Sequence, residues 1–258
     1  GSPRRNPERD PILMIIERTE HPDWLTNAYL IADGPGGSGV VMDANACLDP
    51  LLAQIERDGI AITHILLTHH HMDHVADIER YRERFQVPVL AHADTAAVLG
   101  DGAVDEIIGD GALISSGDLT LTAIDTPGHC AGHLAFLVGK EIFTSDVLFR
   151  GTVGGTRSPG GSYTNLKRSI LERLMTLPPE TIVHPGHKEP TTIGQEWDNN
   201  PFIRVWRGLE PEGSEAVHVK DVPATLLLWA PDYDGGHKAL VQFEDGERAI
   251  VGGSQIAR

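Results

Sequence analysis

Four side chains able to hold a metal ion fall within six consecutive positions: His69, His71, Asp73 and His74, in Thr68-His69-His70-His71-Met72-Asp73-His74. Packing gives no reason for such a run, because burying unpaired imidazoles and a carboxylate is costly. Two histidines two apart at a strand end can reach one ion. Asp73 and His74, on the turn that opens the next helix, are displaced enough to serve a second. Three further candidates follow singly: His129 in Thr126-Pro127-Gly128-His129, Asp146 after Glu141-Ile142-Phe143-Thr144, and His187 in Pro185-Gly186-His187. Nitrogen and oxygen donors without thiolate suit zinc, iron or manganese, and fit a catalytic site that keeps an open position. Two divalent ions lower the pKa of a shared water toward neutrality and polarise a carbonyl.

For these residues to meet, several strands must end along one edge. Residues 11–18, Trp24 to Asp33 and Gly39 to Asp43 read as strands, the last two joined by Gly34-Pro35-Gly36-Gly37. Asp49-Pro50 opens a helix with Asp49 as N-cap and Gly59 as its stop, and Leu48, Leu51, Leu52 and Ile55 give it one buried face. The apolar run Ile62 to Leu67 predicts a buried strand that delivers the histidine cluster. One helix follows with Val75, Ile78, Tyr81 and Phe85 on a face, then a strand over Val87 to Ala91. Leu119 to Asp125 alternates as a half-buried strand does. Leu134 to Val138 and Glu141 to Thr144 form a hairpin about Gly139-Lys140. A glycine-rich loop covers residues 151–162, Leu166, Ile170, Leu171 and Leu174 mark a helix, and Thr181 to His184 is a short strand.

After about residue 212 the helical period disappears. Ala216 to Val219, Ala224 to Trp229, Lys238 to Phe243 and Ala249 to Val251 read as strands, with turns at Asp234-Gly235-Gly236 and Asp245-Gly246. The expected organisation is a catalytic domain over residues 1–212 and a small all-β extension over residues 213–258. Through DYDGGHKALVQFEDG the extension resembles a Tudor-like five-stranded barrel. A segment of roughly 45 residues is near the limit for folding alone, so it is expected to dock on the main domain or on a partner subunit.

The chain has 258 residues, 40% apolar and 22% charged, the composition of a globular protein, and no apolar stretch is long enough to span a membrane. The N-terminus shows no basic-then-apolar leader, so the expected location is cytoplasmic. A formal net charge of -16 repels phosphate backbones and anionic lipid, which argues against nucleic acid or membrane as partners. A small-molecule substrate is expected, and a homodimer is compatible with the sequence. Cys47 and Cys130 cannot build a disulfide framework, whereas 13 histidines exceed what packing needs.

The order THxHxDH, TPGH, a post-strand aspartate and PGH resembles the metallo-β-lactamase superfamily, and within it the glyoxalase II-like (hydroxyacylglutathione hydrolase-like) hydrolases, over about residues 12–204. Asn27, Asp43 in VVMDAN, the SPGG loop at 158–161 and TTIGQEWDNNPF support the likeness. The resemblance implies an α/β (α+β) fold, an αββα sandwich of two mixed sheets with metals at one sheet edge. It implies a first metal on His69, His71 and His129, a second on Asp73, His74 and His187, and Asp146 and a hydroxide bridging the two. Two divalent ions are implied, zinc first, with iron or manganese as alternatives. The implied activity is hydrolysis of a small thioester or ester, with Asp73, His129 and Asp146 as catalytic residues. A mononuclear iron persulfide dioxygenase, on His69, His129 and Asp146, is the alternative, as are a lactonase or β-lactamase of the same fold.

Two departures bear on the substrate. Glyoxalase II enzymes carry a C-terminal helical domain that helps to hold glutathione, whereas this tail reads as β. The family also tends to place a basic residue at the position of Gly155; here Arg150 or Arg157 is the candidate for a substrate carboxylate. Lys188-Glu189 replaces the usual Gly-Pro. A tail recruiting a partner beside a vestigial site is a further reading, opposed by the intact ligand set. Cys130 is expected to be a packed neutral thiol, and His133 to orient a ligand or loop. His64, His92 and His184 are expected to be structural and His70 exposed or structural, with His21 and Trp24 in a loop before a strand. His218 and His237 have no assigned role.

Overall fold

The computed structural model describes residues 14–258, so residues 11–13 of the first expected strand lie outside the described residues. The first half builds a six-stranded mixed sheet from β1 (Ile15–Glu20), β2 (Asn27–Ala32), β3 (Ser38–Met42), β4 (Ala61–Leu66), β5 (Val89–Ala91) and β6 (Glu106–Ile107), in that spatial order. Between these strands run α1 (Asp49–Asp58), α2 (Met72–Val75), α3 (Ile78–Phe85) and α4 (Ala93–Leu99). The second half contributes β7 (Leu113–Ser116), β8 (Leu119–Asp125), β9 (Leu134–Val138) and β10 (Glu141–Ser145), the short hairpin β11 (Leu148–Phe149) and β12 (Thr152–Val153), and helix α5 (Tyr163–Arg168). It continues with β13 (Ile182–Pro185), β14 (Thr191–Thr192), α6 (Ile193–Asn199) and α7 (Pro201–Trp206). Its sheet has the order β14-β13-β10-β9-β8-β7.

The two sheets pack face to face through Tyr29, Ile31, Val40, Met42 and Leu66 on one side and Leu121, Leu134, Phe136 and Phe143 on the other. Leu48, Leu51, Ile55 and Tyr81 cover the outer face of the first sheet. Leu166, Ile170, Leu174, Phe202 and Ile203 cover that of the second. This is the expected αββα sandwich. β4, β8, β10 and β13 each end just before a metal-capable residue, and a bridge between Thr26 and His187 ties the sheets together there.

Local departures from the sequence reading have physical causes. Leu48, not Asp49, is the N-cap of α1: its backbone is already helical, and Asp49 and Pro50 occupy the first turn without a side-chain cap. Gly59 ends α1 in the left-handed conformation, as expected. The single helix expected around Val75 to Phe85 is two. Ala44 N donates to His74 O at 2.7 Å and Asp77 N to Ala44 O at 3.2 Å, which breaks the helix and turns His74 inward. The strand expected from Trp24 begins at Asn27, because Leu25 adopts a left-handed backbone. The helix through Leu166 to Leu174 passes from α into π geometry at Ser169–Leu174. Helices α4, α6 and α7 were not legible as periodic runs.

Five further strands, β15 (Glu215–Val219), β16 (Val222–Pro231), β17 (His237–Phe243), β18 (Arg248–Gly252) and β19 (Ile256–Ala257), form a separate antiparallel sheet of order β18-β17-β16-β15-β19. Val217, Leu226, Val241, Phe243 and Val251 make its own core. Leu227, at a bulge between Leu226 and Leu228, faces the other side and joins Ala230, Leu240 and Ile250 against Leu166, Ile170 and Phe202. The sheet therefore docks on the sandwich, and each large apolar side chain buried there contributes about 1.5–3 kcal/mol. Thr156 N donates to Ile250 O, and Ile250 N to Thr156 Oγ1, both at 2.9 Å, extending the contact toward the glycine-rich loop.

Candidate metal centre

The seven metal-capable residues converge in two groups, His69, His71, His129 and Asp146 in one and Asp73, His74 and His187 in the other. Within each group the ligand atoms lie within 4.8 Å of one another. The Nε2 atoms of His69 and His129 both point at Nδ1 of His71, at 3.1 and 2.9 Å. Asp146 lies between the groups. Its Oδ1 is 3.2 Å from His74 Nε2, and its Oδ2 is 3.4 Å from His187 Nε2, 3.6 Å from His129 Nε2 and 3.9 Å from His69 Nε2. Asp73 Oδ2 is 3.4 Å from His187 Nε2 and 3.6 Å from His74 Nε2.

Supporting contacts set these orientations. His129 donates Nδ1–H to the Gly155 carbonyl at 2.8 Å, so its Nε2 carries a lone pair. The Thr68 hydroxyl donates to Asp43 at 2.8 Å and accepts from His69 Nδ1 at 3.0 Å, which leaves the same lone pair on His69 Nε2. Asp43 Oδ2 also holds His74 Nδ1 at 2.8 Å, a carboxylate–imidazole pair of the kind that stands behind metal ligands. Thr26 Oγ1 donates to Asp73 Oδ2 at 2.7 Å. Asp146 N donates to Nε2 of the buried His133, whose Nδ1 meets Thr126 Oγ1 at 2.8 Å. Asn27 Nδ2 braces the last ligand loop through the Pro185 and Lys188 carbonyls at 3.0 and 2.8 Å. Gly186 has no substitute here, since a Cβ would lie 2.1 Å from Asp146 Oδ1.

These contacts leave polar atoms that the protein does not satisfy. His74 Nε2 and Asp146 Oδ1 are buried and, though 3.2 Å apart, do not meet in hydrogen-bond geometry. A single proton on His71 Nδ1 can satisfy only one of the two lone pairs facing it, whereas a cation satisfies all three nitrogens. The donor set, all nitrogen and carboxylate oxygen, fits divalent ions. Burial, reinforced by His74, holds His69 well below the ordinary histidine range. Burial and then His129 lower His71 to about 4. Burial also lowers His129, against Asp146. These three imidazoles are thus neutral and ready to ligate at pH 7. His74 behaves oppositely: burial opposes its charge, but Asp146 and Asp43 outweigh burial and hold its pKa well above the usual value. Burial would raise Asp146, yet His74 and His187 reverse this and keep it ionised.

Other residues fall into place around this centre. Cys130 is fully buried, and burial followed by Asp146 pushes its thiol up to about 12, so it is a packed neutral thiol. His92 Nδ1 caps α4, His184 Nε2 meets Glu141 at 2.6 Å, and His21 stacks on the exposed Trp24. Arg150 is exposed in a shallow depression with Ile182, Thr191 and Gln195, apart from the ligand groups. Arg157 faces the C-terminal sheet, 3.8 Å from Glu247 and over the Phe243 ring, in a cleft of about 530 Å³ that Gly155 and Lys220 also line. The structure gathers neither arginine with the seven. The sequence reading assigned no role to Thr68, Ser145 or Tyr233. Thr68 bonds Ser145 Oγ at 2.8 Å behind His69, and Tyr233 of the C-terminal sheet stacks on His187. For Tyr233 the only sequence signal was an aromatic residue within a turn otherwise made of aspartate and glycine.

A sandwich of this topology with ligands at its strand ends defines a metal-binding class, and the family model for the metallo-β-lactamase superfamily matches residues 21–187. The chain belongs to that superfamily. It is 31% identical over 205 residues to the hydroxyacylglutathione hydrolase of Rhodopseudomonas palustris, covering 77% of each chain. Among solved structures it is similar to ETHE1 from Myxococcus xanthus, with 28% identity, a TM-score of 0.67 and coverage of 76% of this chain and 92% of that one. It is also similar to TTHA1623 in a di-iron-bound form, with 33% identity, a TM-score of 0.63 and coverage of 72% and 99%. It is thus a homologue of metallo-hydrolases, with residues suited to divalent metal ions. No helix among the described residues is long and apolar enough to cross a membrane.

Proposed function

We propose that the protein is a dinuclear metal-dependent hydrolase of a small thioester or ester. The observation that carries this reading is Asp146, whose carboxylate reaches both ligand groups, with Oδ1 beside His74 and Oδ2 between His187 and His129. His69, His71 and His129 would hold one ion, and Asp73, His74 and His187 the other, with zinc the expected metal and iron or manganese the alternatives. Such ions, when bound, supply Lewis acidity and acidify water. The residues of the chain do the rest. Asp43 and Gly155 aim the imidazoles of His74 and His129. Asp73, tethered by Thr26, presents a half-exposed carboxylate that can accept a proton from an attacking water and orient it. The neutral Cys130 takes no part. The substrate we propose is a small molecule, since the net charge of -16 disfavours nucleic acid and anionic membrane.

The test is elemental analysis of protein purified without added metal, followed by a screen of acyl thioesters, esters and lactones. About two ions per chain with metal-dependent turnover is the expected result, and no turnover of any such substrate would sink the reading. The likeness to ETHE1 favours a second reading, a mononuclear iron persulfide dioxygenase on His69, His129 and Asp146. One iron per chain and oxygen uptake with a thiol persulfide would select it.

A further inference from the structure

His187 is supported differently from the other three histidines that present Nε2 to the centre. The Nδ1 atoms of His69, His74 and His129 meet Thr68 Oγ1, Asp43 Oδ2 and the Gly155 carbonyl at 3.0, 2.8 and 2.8 Å. The Nδ1 of His187 is buried and has no partner. An imidazole without that bond has a broad second torsion. Its ring is met instead by aromatic faces. Tyr233 stacks on it with centroids 4.3 Å apart and planes within 13°, and Phe149 approaches at 5.7 Å. Tyr233 belongs to the turn between β16 and β17, so a side chain from the C-terminal sheet lies against a metal-capable residue of the sandwich.

The turn is anchored at both ends. Lys238 is 6% exposed, and its Nζ pairs with Asp232 Oδ1 at 3.0 Å and donates to the Val153 carbonyl at 2.8 Å. The same ammonium is 5.1 Å from the Tyr233 ring centroid and 5.2 Å from that of Phe149, within cation–π range. A buried lysine is costly unless paired. Here its partners come from the sandwich, from the turn and from the two rings that flank His187.

We infer that Tyr233 is a positioning residue for the second metal position. Its ring, held by the Lys238–Asp232 pair, takes the place of the missing Nδ1 bond and keeps His187 Nε2 aimed between Asp73 and Asp146. The C-terminal sheet is then a working part of the centre. The inference rests on the dinuclear reading.

Zinc titration with elemental analysis, and the absorption spectrum of the cobalt-substituted protein, test it on the full chain. The wild type should bind two ions. Tyr233→Ala should keep the first ion but raise the dissociation constant of the second about 10–100-fold, the usual effect of losing a partner behind a ligand. Its cobalt bands for the second ion should change, while Tyr233→Phe, which retains the stacking face, should match the wild type in both. If Tyr233→Ala loses its near-ultraviolet circular dichroism, Tyr233→Leu, with bulk but no aromatic face, replaces it under the same expectation. Wild-type affinity and spectrum in the non-aromatic variant would overturn the inference, as would equal damage in Tyr233→Phe. A wild type that binds one ion overturns the dinuclear reading itself, an outcome distinct from the other two because the control fails.

Discussion

The two halves of the candidate metal centre hold similar metal-capable residues but are supported differently. His69, His71 and His129 are neutral at pH 7 and are braced from within the sandwich, by Thr68 and by the Gly155 carbonyl. Asp73, His74 and His187 draw on Asp43, on Thr26 and on a tyrosine from another sheet, and His74 is held well above the ordinary histidine range. The first half is therefore braced by the sandwich alone, whereas the second also draws on the C-terminal sheet. On the dinuclear reading an ion at the second half would displace a proton, because Asp146 and Asp43 favour the charged form of His74 against its burial.

This contrast can be broken or sharpened by experiment. Asp146→Ala removes the carboxylate shared by both halves and should erase the asymmetry. Turnover is expected to fall by more than about 100-fold, beyond the loss of any supporting partner, with neither ion retained on dialysis. Asp43→Asn puts an amide nitrogen opposite His74 Nδ1, while the oxygen that remains can still accept from Thr68 N and Oγ1 behind His69. Affinity for the second ion should drop about 10–100-fold, with the first ion held, as competition with a chromogenic chelator would show. Lys238→Met leaves Asp232 buried and unpaired, at a cost of about 3–5 kcal/mol. Thermal melting should record that loss, and the paired replacement of Asp232 and Lys238 by apolar residues should restore much of it.

The smallest effect concerns protons. The lowered pKa values of His69, His71 and His129 leave little to release at neutrality, so the first ion's affinity should change little there and weaken as pH falls toward the His71 value of about 4. The raised pKa of His74 means that the second ion expels a proton, so its affinity should climb as pH rises through neutrality. Calorimetry in buffers of different ionisation enthalpy would read about one proton for the second ion and none for the first. Equal release at both steps would remove the distinction.

Much of the centre was legible because its chemistry is local. HxHxDH concentrates ligands within six positions, and TPGH and PGH each follow a recognisable strand. The hairpin about Gly139-Lys140 and the strand Leu119–Asp125 announced themselves by turn chemistry and alternation. Helix α6 did not, since Glu196 is buried within it to accept bonds from Thr191, Gly151 and Asn200, which spoils an amphipathic pattern. The break between α2 and α3 was equally hidden, because its cause is the loop at Ala44, remote in sequence.

The metal-capable residue types and the strand ends that carry them are properties of short stretches of chain, and the sequence alone determined them. Which nitrogen of each histidine faces inward, which group is charged and which remote side chain steadies His187 depend on surfaces meeting in space. Tyr233 shows why. Nothing in the spacing of Asp232-Tyr233-Asp234 signals an imidazole far back in the chain, and only burial of Leu227, Leu240 and Ile250 against the sandwich brings the two rings together.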